Sequence, residues 1–522
     1  MRIRAERAPG AQPRPPRRSR GLGLILGLLL GFVIALALPD GTLRLLSSIL
    51  RNPGARLRAW QLRRVWPALE VDVDFESYQR WMRTVEAQRR GQVALSEADC
   101  VTVQLGGAAG GLSAMLCPAP AGLYAPLSST PAFTVEPAAG ARLMGMQSAI
   151  LAPADPASVL GMGYLHTLAA EGLVVAERRF INVSVNGSGW GAYVLEAMPA
   201  EAAPAVMAAS DAAAGLVLVT FDSTELPWPY PAVERSFAYA RPVLTPLMPD
   251  AGEGAGAELV ARSGAVIASL DSGAVTPSEV VDVQALARMV AATALWHGAT
   301  ELDWRTLGFA FDGATGLLIP LPAGWTPDAA TPFLTPLMQH PAMQREIAVW
   351  MDRYSDPTVA DLVLAGGDLE TLFVALGGEP GTLRATLAGH QAAMRALVEP
   401  GRTLFATIAD DPAGLSIDLR AILPFPVEVL GLDFGGQGYL AMDAAWVTGS
   451  DPAVLWSAAE GATVLAGRAG SAPVAASFAV PLRALPTDLQ VGRGELSLVT
   501  RVWGLETSIP VAVDSSAAWR QP

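Results

Sequence analysis

The run GLGLILGLLLGFVIALAL, Gly21 to Leu38, carries no charge over 18 residues. As a helix at about 1.5 Å per residue it would be roughly 27 Å long, enough to cross a thin bilayer. Seven arginines stand between Arg2 and Arg20; such residues stay cytoplasmic, so the bulk of the chain is expected on the periplasmic or extracytoplasmic side. Arg44, Arg51, Arg56 and Arg58 follow the run and weaken that bias. The alternative is a cleaved signal peptide, since Ala35-Leu36-Ala37 resembles a processing site and Arg17-Arg18 a weak twin-arginine signal. The expectation is a single uncleaved transmembrane helix in the inner membrane. Gly23, Gly27 and Gly31 share one face of it, where a second copy could approach closely as a homodimer.

A chain of 522 residues exceeds what one hydrophobic core supports, so more than one folded unit is expected. All 36 basic residues are arginine, which excludes a Schiff-base lysine, a phosphate-loop lysine and a Ser-x-x-Lys nucleophile pair. Residues 1–100 hold 17 arginines against 9 acids, and the remainder 19 against 40. The acidic remainder repels nucleic acid, and no nucleic-acid partner is expected.

The two cysteines bracket CVTVQLGGAAGGLSAMLC. A hairpin folded at its glycine-rich centre sets Cys100 opposite Cys117, within disulfide range; two buried thiols are the alternative. Further along, short basic helices fill 39–68, and LEVDVD forms a strand with Glu70, Asp72 and Asp74 on one solvated face, ahead of a helix from Phe75 to Arg90. PAFTVEP and LMGMQSAIL read as strands, and PASVLGMGYLHTLAAEG as a helix. RRFINVSVNGSGWGAYVLEAMP is the strongest hairpin signal: Ile181, Val183 and Val185 alternate with polar residues, Asn186-Gly187 turns the chain, and Trp190, Ala192, Val194 and Glu196 share a face. The sequons at Asn182 and Asn186 fall inside it and are read as chance. After the strand GLVLVTFD, residues 223–276 read as a long Pro-, Gly- and Ala-rich connection in which GEGAGA only mimics a dinucleotide loop. A helix over VDVQALARMVAATALWHG, the hairpin FAFDGATGLLIPL, helices through 335–398 and short alternating runs from about 400 complete the chain. The last group indicates a separate β-sandwich.

His166, His297, His340 and His390 show no metal spacing, and neither a G-x-S-x-G elbow nor a cysteine–histidine pair occurs. The order of LMGMQSAILAP, YLHTLAAEGLVVAERRFINVSVNGSGWGAYVLEAMP and HGATELDWRTLGFAFDGATGLLIPL nevertheless resembles the CotH (spore coat protein H-type) kinase-like family, over about residues 69–330. The resemblance implies an α+β, two-lobed protein-kinase-like domain at 69–398 and an all-β sandwich at 399–522, after a tail at 1–20, an anchor at 21–38 and juxtamembrane helices at 39–68. It also implies an ATP and divalent-metal site between the lobes, which needs a cationic clamp, metal carboxylates and a proton-accepting carboxylate. Arg142 is the nearest cation to the clamp strand; Glu171 and Glu196 occupy acid positions of the remnant ATP site; Asp303 falls near the catalytic loop. Thr306 stands where a metal-binding amide is expected, and the run after TGLLIP reaches no acid before Asp328.

The expected function is therefore a degenerate, pseudokinase-like scaffold that needs no cofactor and binds an envelope protein or a polysaccharide. The alternatives are an active kinase using Mg- or Mn-ATP, with Asp303 and either Asp328 or Asp312, and a purely structural envelope protein. Asp312 lies in a D-G turn, which local hydrogen bonding accounts for.

Overall fold

The computed structural model describes residues 53–89, 99–118, 131–198, 201, 206, 215–222, 241–246, 253–298, 307–322, 340–399, 404–411, 413–421, 424–435, 437–448, 454–457, 462–465, 474–487, 490–491, 495–514 and 519–520. The chain divides into two compact units, Met1–Arg58 and Ala59–Pro522. Of the first, only 53–58 are described, as the opening turns of helix α1 (Pro53–Val65).

The second unit begins with β1 (Ala68–Asp72), α2 (Phe75–Arg89), β2 (Val101–Gly107), β3 (Leu112–Pro118), β4 (Phe133–Pro137), β5 (Ala149–Pro153), α3 (Ala157–Ala170), β6 (Arg178–Val185) and β7 (Ser188–Ala197). These seven strands close into a barrel in the order β1-β2-β3-β4-β5-β7-β6. Its seam is the parallel pair β1–β6, with Ala68 opposite Asn182 and Val71 opposite Val185. Alternation decides which side chains enter: Val101, Val103 and Leu105 of β2 are buried while Thr102 and Gln104 are exposed, as period-two geometry requires. Helix α2 adds Trp81, fully buried, which stacks on Trp190 at 5.9 Å and meets the edge of Phe133 at 5.4 Å.

Next come β8 (Leu216–Asp222), β9 (Arg241–Pro246), α4 (Glu253–Asp271), α5 (Val283–His297), β10 (Leu307–Asp312), β11 (Leu318–Pro322), α6 (Pro341–Tyr354), α7 (Pro357–Gly367), α8 (Leu369–Ala375) and α9 (Thr382–Val398). The strands form an antiparallel sheet, β11-β10-β8-β9. Helix α5 is the central element: Asp282 caps its start by accepting from the Ala285 N–H at 2.9 Å, Gly298 ends it in the left-handed region, and Leu286 to Trp296 lie almost wholly in the core. The region expected to be a long connection, 223–276, contains β9 and the 19-residue α4. GEGAGA opens that helix. Alanine and glycine blur its periodicity, leaving Leu259, Ile267 and Leu270 as its buried anchors.

The C-terminal part comprises β12 (Leu404–Asp411), β13 (Gly414–Ala421), β14 (Val427–Asp433), β15 (Tyr439–Ala441), β16 (Val447–Thr448), β17 (Val454–Ser457), β18 (Ala462–Leu465), β19 (Val474–Pro481), β20 (Gln490–Val491), β21 (Ser497–Val502), β22 (Ile509–Asp514) and β23 (Trp519–Arg520). Apart from the β20–β23 pair they make one ten-stranded sheet, β16-β19-β13-β12-β22-β21-β14-β18-β17 with β15 on β14. The sheet curls around Leu404, Ile417, Phe434, Phe478 and Leu498.

Three expectations are corrected here. The two-lobed kinase-like body is not shown: the first seven strands are consumed in closing a barrel, and a single core cluster runs from Ala59 through α3, α5 and α6 to Val502 and Leu505. The β-sandwich of two packed sheets is instead one curled sheet, because the parallel pairing of β12 with β22 joins its halves. The single-pass inner-membrane placement, with its transmembrane signal-anchor, is not supported, since among the described residues no helix is long and apolar enough to cross a membrane. Helix α4, the longest among the described residues, carries Glu258 and Arg262 in its middle. Gly21–Leu38, with Gly23, Gly27 and Gly31, lies outside the described residues.

Candidate functional site

The hairpin β6–β7 positions the most enclosed charges described in the chain. At its tip Val185 pairs with Ser188 and Ser184 with Gly189, but the next pair is Val183 with Gly191, so one extra residue, Trp190, is accommodated as a bulge. A single inserted residue shifts every later side chain by one position. Trp190 accordingly joins the barrel interior with Tyr193 and Leu195, whereas Val194 packs with the helices outside. The shared face expected for Trp190, Ala192, Val194 and Glu196 is thus split, and Glu196 comes to lie opposite Arg178.

Arg178 and Glu196 form an ion pair, NH1 to Oε2 at 3.3 Å, with side chains only 4% and 3% exposed. Such burial is favourable only when the charges stay paired. Helix α3 covers them through its glycines: a Cβ on Gly161 would stand 2.6 Å from Arg178 NH1, and one on Gly163 would overlap the Trp296 ring. Trp296 of α5 donates from Nε1 to Thr167 Oγ1 of α3 at 2.7 Å, fixing the two helices together. Next to Trp296, His297 lies against Tyr164, ring centroids 5.9 Å apart. Burial, then the positive charge of Arg178, then His390 push the His297 pKa down to about 3, so the imidazole is neutral at physiological pH. Burial pushes the Tyr164 hydroxyl well above its ordinary range, opposed by a hydrogen bond with Thr293.

Of the other expected site residues, the described ones, Glu171 and Arg142, are engaged elsewhere than with Glu196. Glu171, at the end of α3, accepts from Arg353 NH2 through Oε1 at 2.7 Å, and its backbone carbonyl accepts from Arg288 NH1 at 3.0 Å. Arg142 is exposed, donates to the Gly145 carbonyl at 2.9 Å and lies 3.9 Å from Glu201. Each is engaged by a different partner. Asp303, Thr306 and Asp328 lie outside the described residues. Asp312 is buried and accepts from the Ala314 N–H and the Thr315 hydroxyl, closing the turn before β11.

Among the described residues no group of three or more His, Cys, Asp or Glu side chains is placed to hold a metal ion. Glu70 and Asp72 are exposed on β1 while Asp74 accepts from the Ser77 N–H at the start of α2. The amides of both sequons work inside the fold: Asn186 Oδ1 accepts from the Val73 N–H at 2.9 Å and Asn182 Nδ2 donates to the Arg63 carbonyl at 3.1 Å. Cys100 and Cys117 are joined as a disulfide across β2 and β3, Cα atoms 4.2 Å apart.

Arg178 is the residue that sequence reasoning missed. A plain two-residue hairpin count pairs it with Leu195; only the bulge at Trp190 delivers it to Glu196. Two glycines on α3, Gly161 against Arg178 and Gly163 against Trp296, were the available signal of close packing. Compared with known proteins, the chain matches no family model and no curated protein.

Proposed function

We propose that the chain is a non-catalytic binding protein, a scaffold for a protein or polysaccharide partner, and that it does not transfer phosphate. The observation that carries this reading is the closure of Glu196 in a buried pair with Arg178. Phosphoryl transfer relies on charges left available to grip phosphate and metal. Here Glu196 and Glu171 each spend their charge on an arginine of the same chain, and opening the buried pair for a ligand would strand a charge at a cost of about 3 to 5 kcal/mol.

The full chain heated with and without Mn-ATP tests this. Nucleotide at a hundred times its dissociation constant would add about 2.7 kcal/mol of stability, a visible melting shift. The expected result is no shift and no transfer of labelled phosphate to an added acceptor. A saturable shift accompanied by transfer would overturn the reading and restore a kinase.

A further inference from the structure

The curled C-terminal sheet buries one face of β12 and β13 and leaves the other open, and strand register brings a defined set of side chains together on the open one. Leu404, Ala406, Ile417 and Leu419 enter the core. The residues that alternate with them, Phe405, Thr407, Asp418 and Arg420, are exposed on the opposite face. Phe405 stands directly across from Arg420, and Thr407 from Asp418. Residues paired in this way share a face, with Cβ atoms about 4.5 to 5.5 Å apart. Both rows continue onto β19, where Arg420 meets Ala475 and Asp418 meets Ser477. The Ser477 hydroxyl donates to Asp418 Oδ1 at 2.5 Å, and Thr448 of β16 is the next residue in that row. A ring, a guanidinium, a carboxylate and three hydroxyls thus occupy neighbouring positions across four strands.

This chemistry narrows the partner. Phe405 is 57% exposed, yet its neighbours in the two rows are charged or short, so the face lacks the apolar centre that a protein partner would fill. Asp418 and Arg420 carry opposite charges two residues apart on one strand face, so an ion of either sign is repelled by one of them. The chain beyond residue 100, with 19 arginines against 40 acids, repels polyanions as well. Hydroxyl groups suit both charges at once, accepting from the Arg420 guanidinium and donating to the Asp418 carboxylate. The apolar face of a sugar ring can meanwhile cover the Phe405 ring. Short side chains give the surface little relief, so a long flat ligand finds more contact there than a small solute. We propose that this face, centred on Phe405, Asp418 and Arg420, is the docking surface for a neutral, ribbon-like polysaccharide. The proposal rests on the scaffold reading above and names its partner.

Hydroxyethylcellulose, a neutral extended glucan, is the probe, cast into a native gel through which the full chain migrates. Carboxymethylcellulose supplies the same backbone with negative charge. The chain is expected to be retarded by the neutral polymer and less by the charged one. Phe405→Ser and Arg420→Gln should each weaken binding about tenfold, the worth of one covered ring or one charged hydrogen bond, with melting temperatures unchanged because both positions are exposed. Should Phe405→Ser not fold, Arg420→Gln carries the comparison. No retardation by hydroxyethylcellulose, equal or stronger retardation by carboxymethylcellulose, retardation unchanged in both variants, or a Phe405-dependent dimer on a sizing column would each overturn the proposal. None of these outcomes alters the result with Mn-ATP, so failure of this surface is distinguishable from failure of the scaffold reading.

Discussion

Acid should destabilise this protein through His297, and the size of the effect follows from its surroundings. An unfolded histidine takes up a proton near pH 6.5, whereas the folded one resists until about pH 3 because burial and Arg178 disfavour the imidazolium. The folded pKa lies below the unfolded one, so the unfolded chain binds more protons between these limits. The contribution of neutral His297 is therefore complete above about pH 6.5 and is lost as pH falls towards 3, at roughly 1.4 kcal/mol per pH unit. At pH 5 the loss is about 2 kcal/mol, a figure that barely changes for any folded value below about 4. The whole window is worth roughly 4 to 5 kcal/mol. The perturbation is His297→Gln, which retains a polar side chain and removes the titration. Urea midpoints measured from pH 7.5 to 4.5 should fall more steeply for the natural chain than for the variant, the curves converging towards low pH. Parallel pH slopes, or a His297 proton resonance that titrates near pH 6.5 in the folded protein, would refute the reasoning.

Three further outcomes follow from the same geometry. Glu196→Gln, which strands Arg178 at 4% exposure, should cost about 3 to 5 kcal/mol in urea unfolding, whereas the double variant Arg178→Met/Glu196→Leu should recover most of that loss. Gly163→Ala forces a methyl into the Trp296 ring and should cost about 1 to 3 kcal/mol, read as a lowered melting temperature. Replacing Cys100 and Cys117 by serine together, or reducing the natural chain, should cost about 3 kcal/mol for a closed loop of this size, with no effect of reductant on the double variant.

What the sequence disclosed was local. Asn186-Gly187 between alternating apolar runs located β6 and β7, and the run VDVQALARMVAATALWHG located α5. Helix α4 stayed hidden because its buried face relies on few large side chains spaced among alanine and glycine. The partner of Glu196 stayed hidden because the Trp190 bulge acts on register, which a count of residues from the turn does not register. Barrel closure depends on β1 meeting β6, two strands with no local signal for each other. The kinase-like expectation rested on the order of elements along the chain, and the same order is compatible with strands that close on themselves.

The parallel seam has a consequence for synthesis. Ala68 emerges from the ribosome long before Asn182, its partner across the seam, so the first strand waits with one flank of backbone amides and carbonyls unmatched while the intervening segments are made. Exposed strand flanks recruit neighbouring chains. A nascent or truncated product ending before Arg178 should therefore aggregate, and the appearance of β6 is the moment at which the open flank of β1 is covered and this protein becomes safe from its siblings.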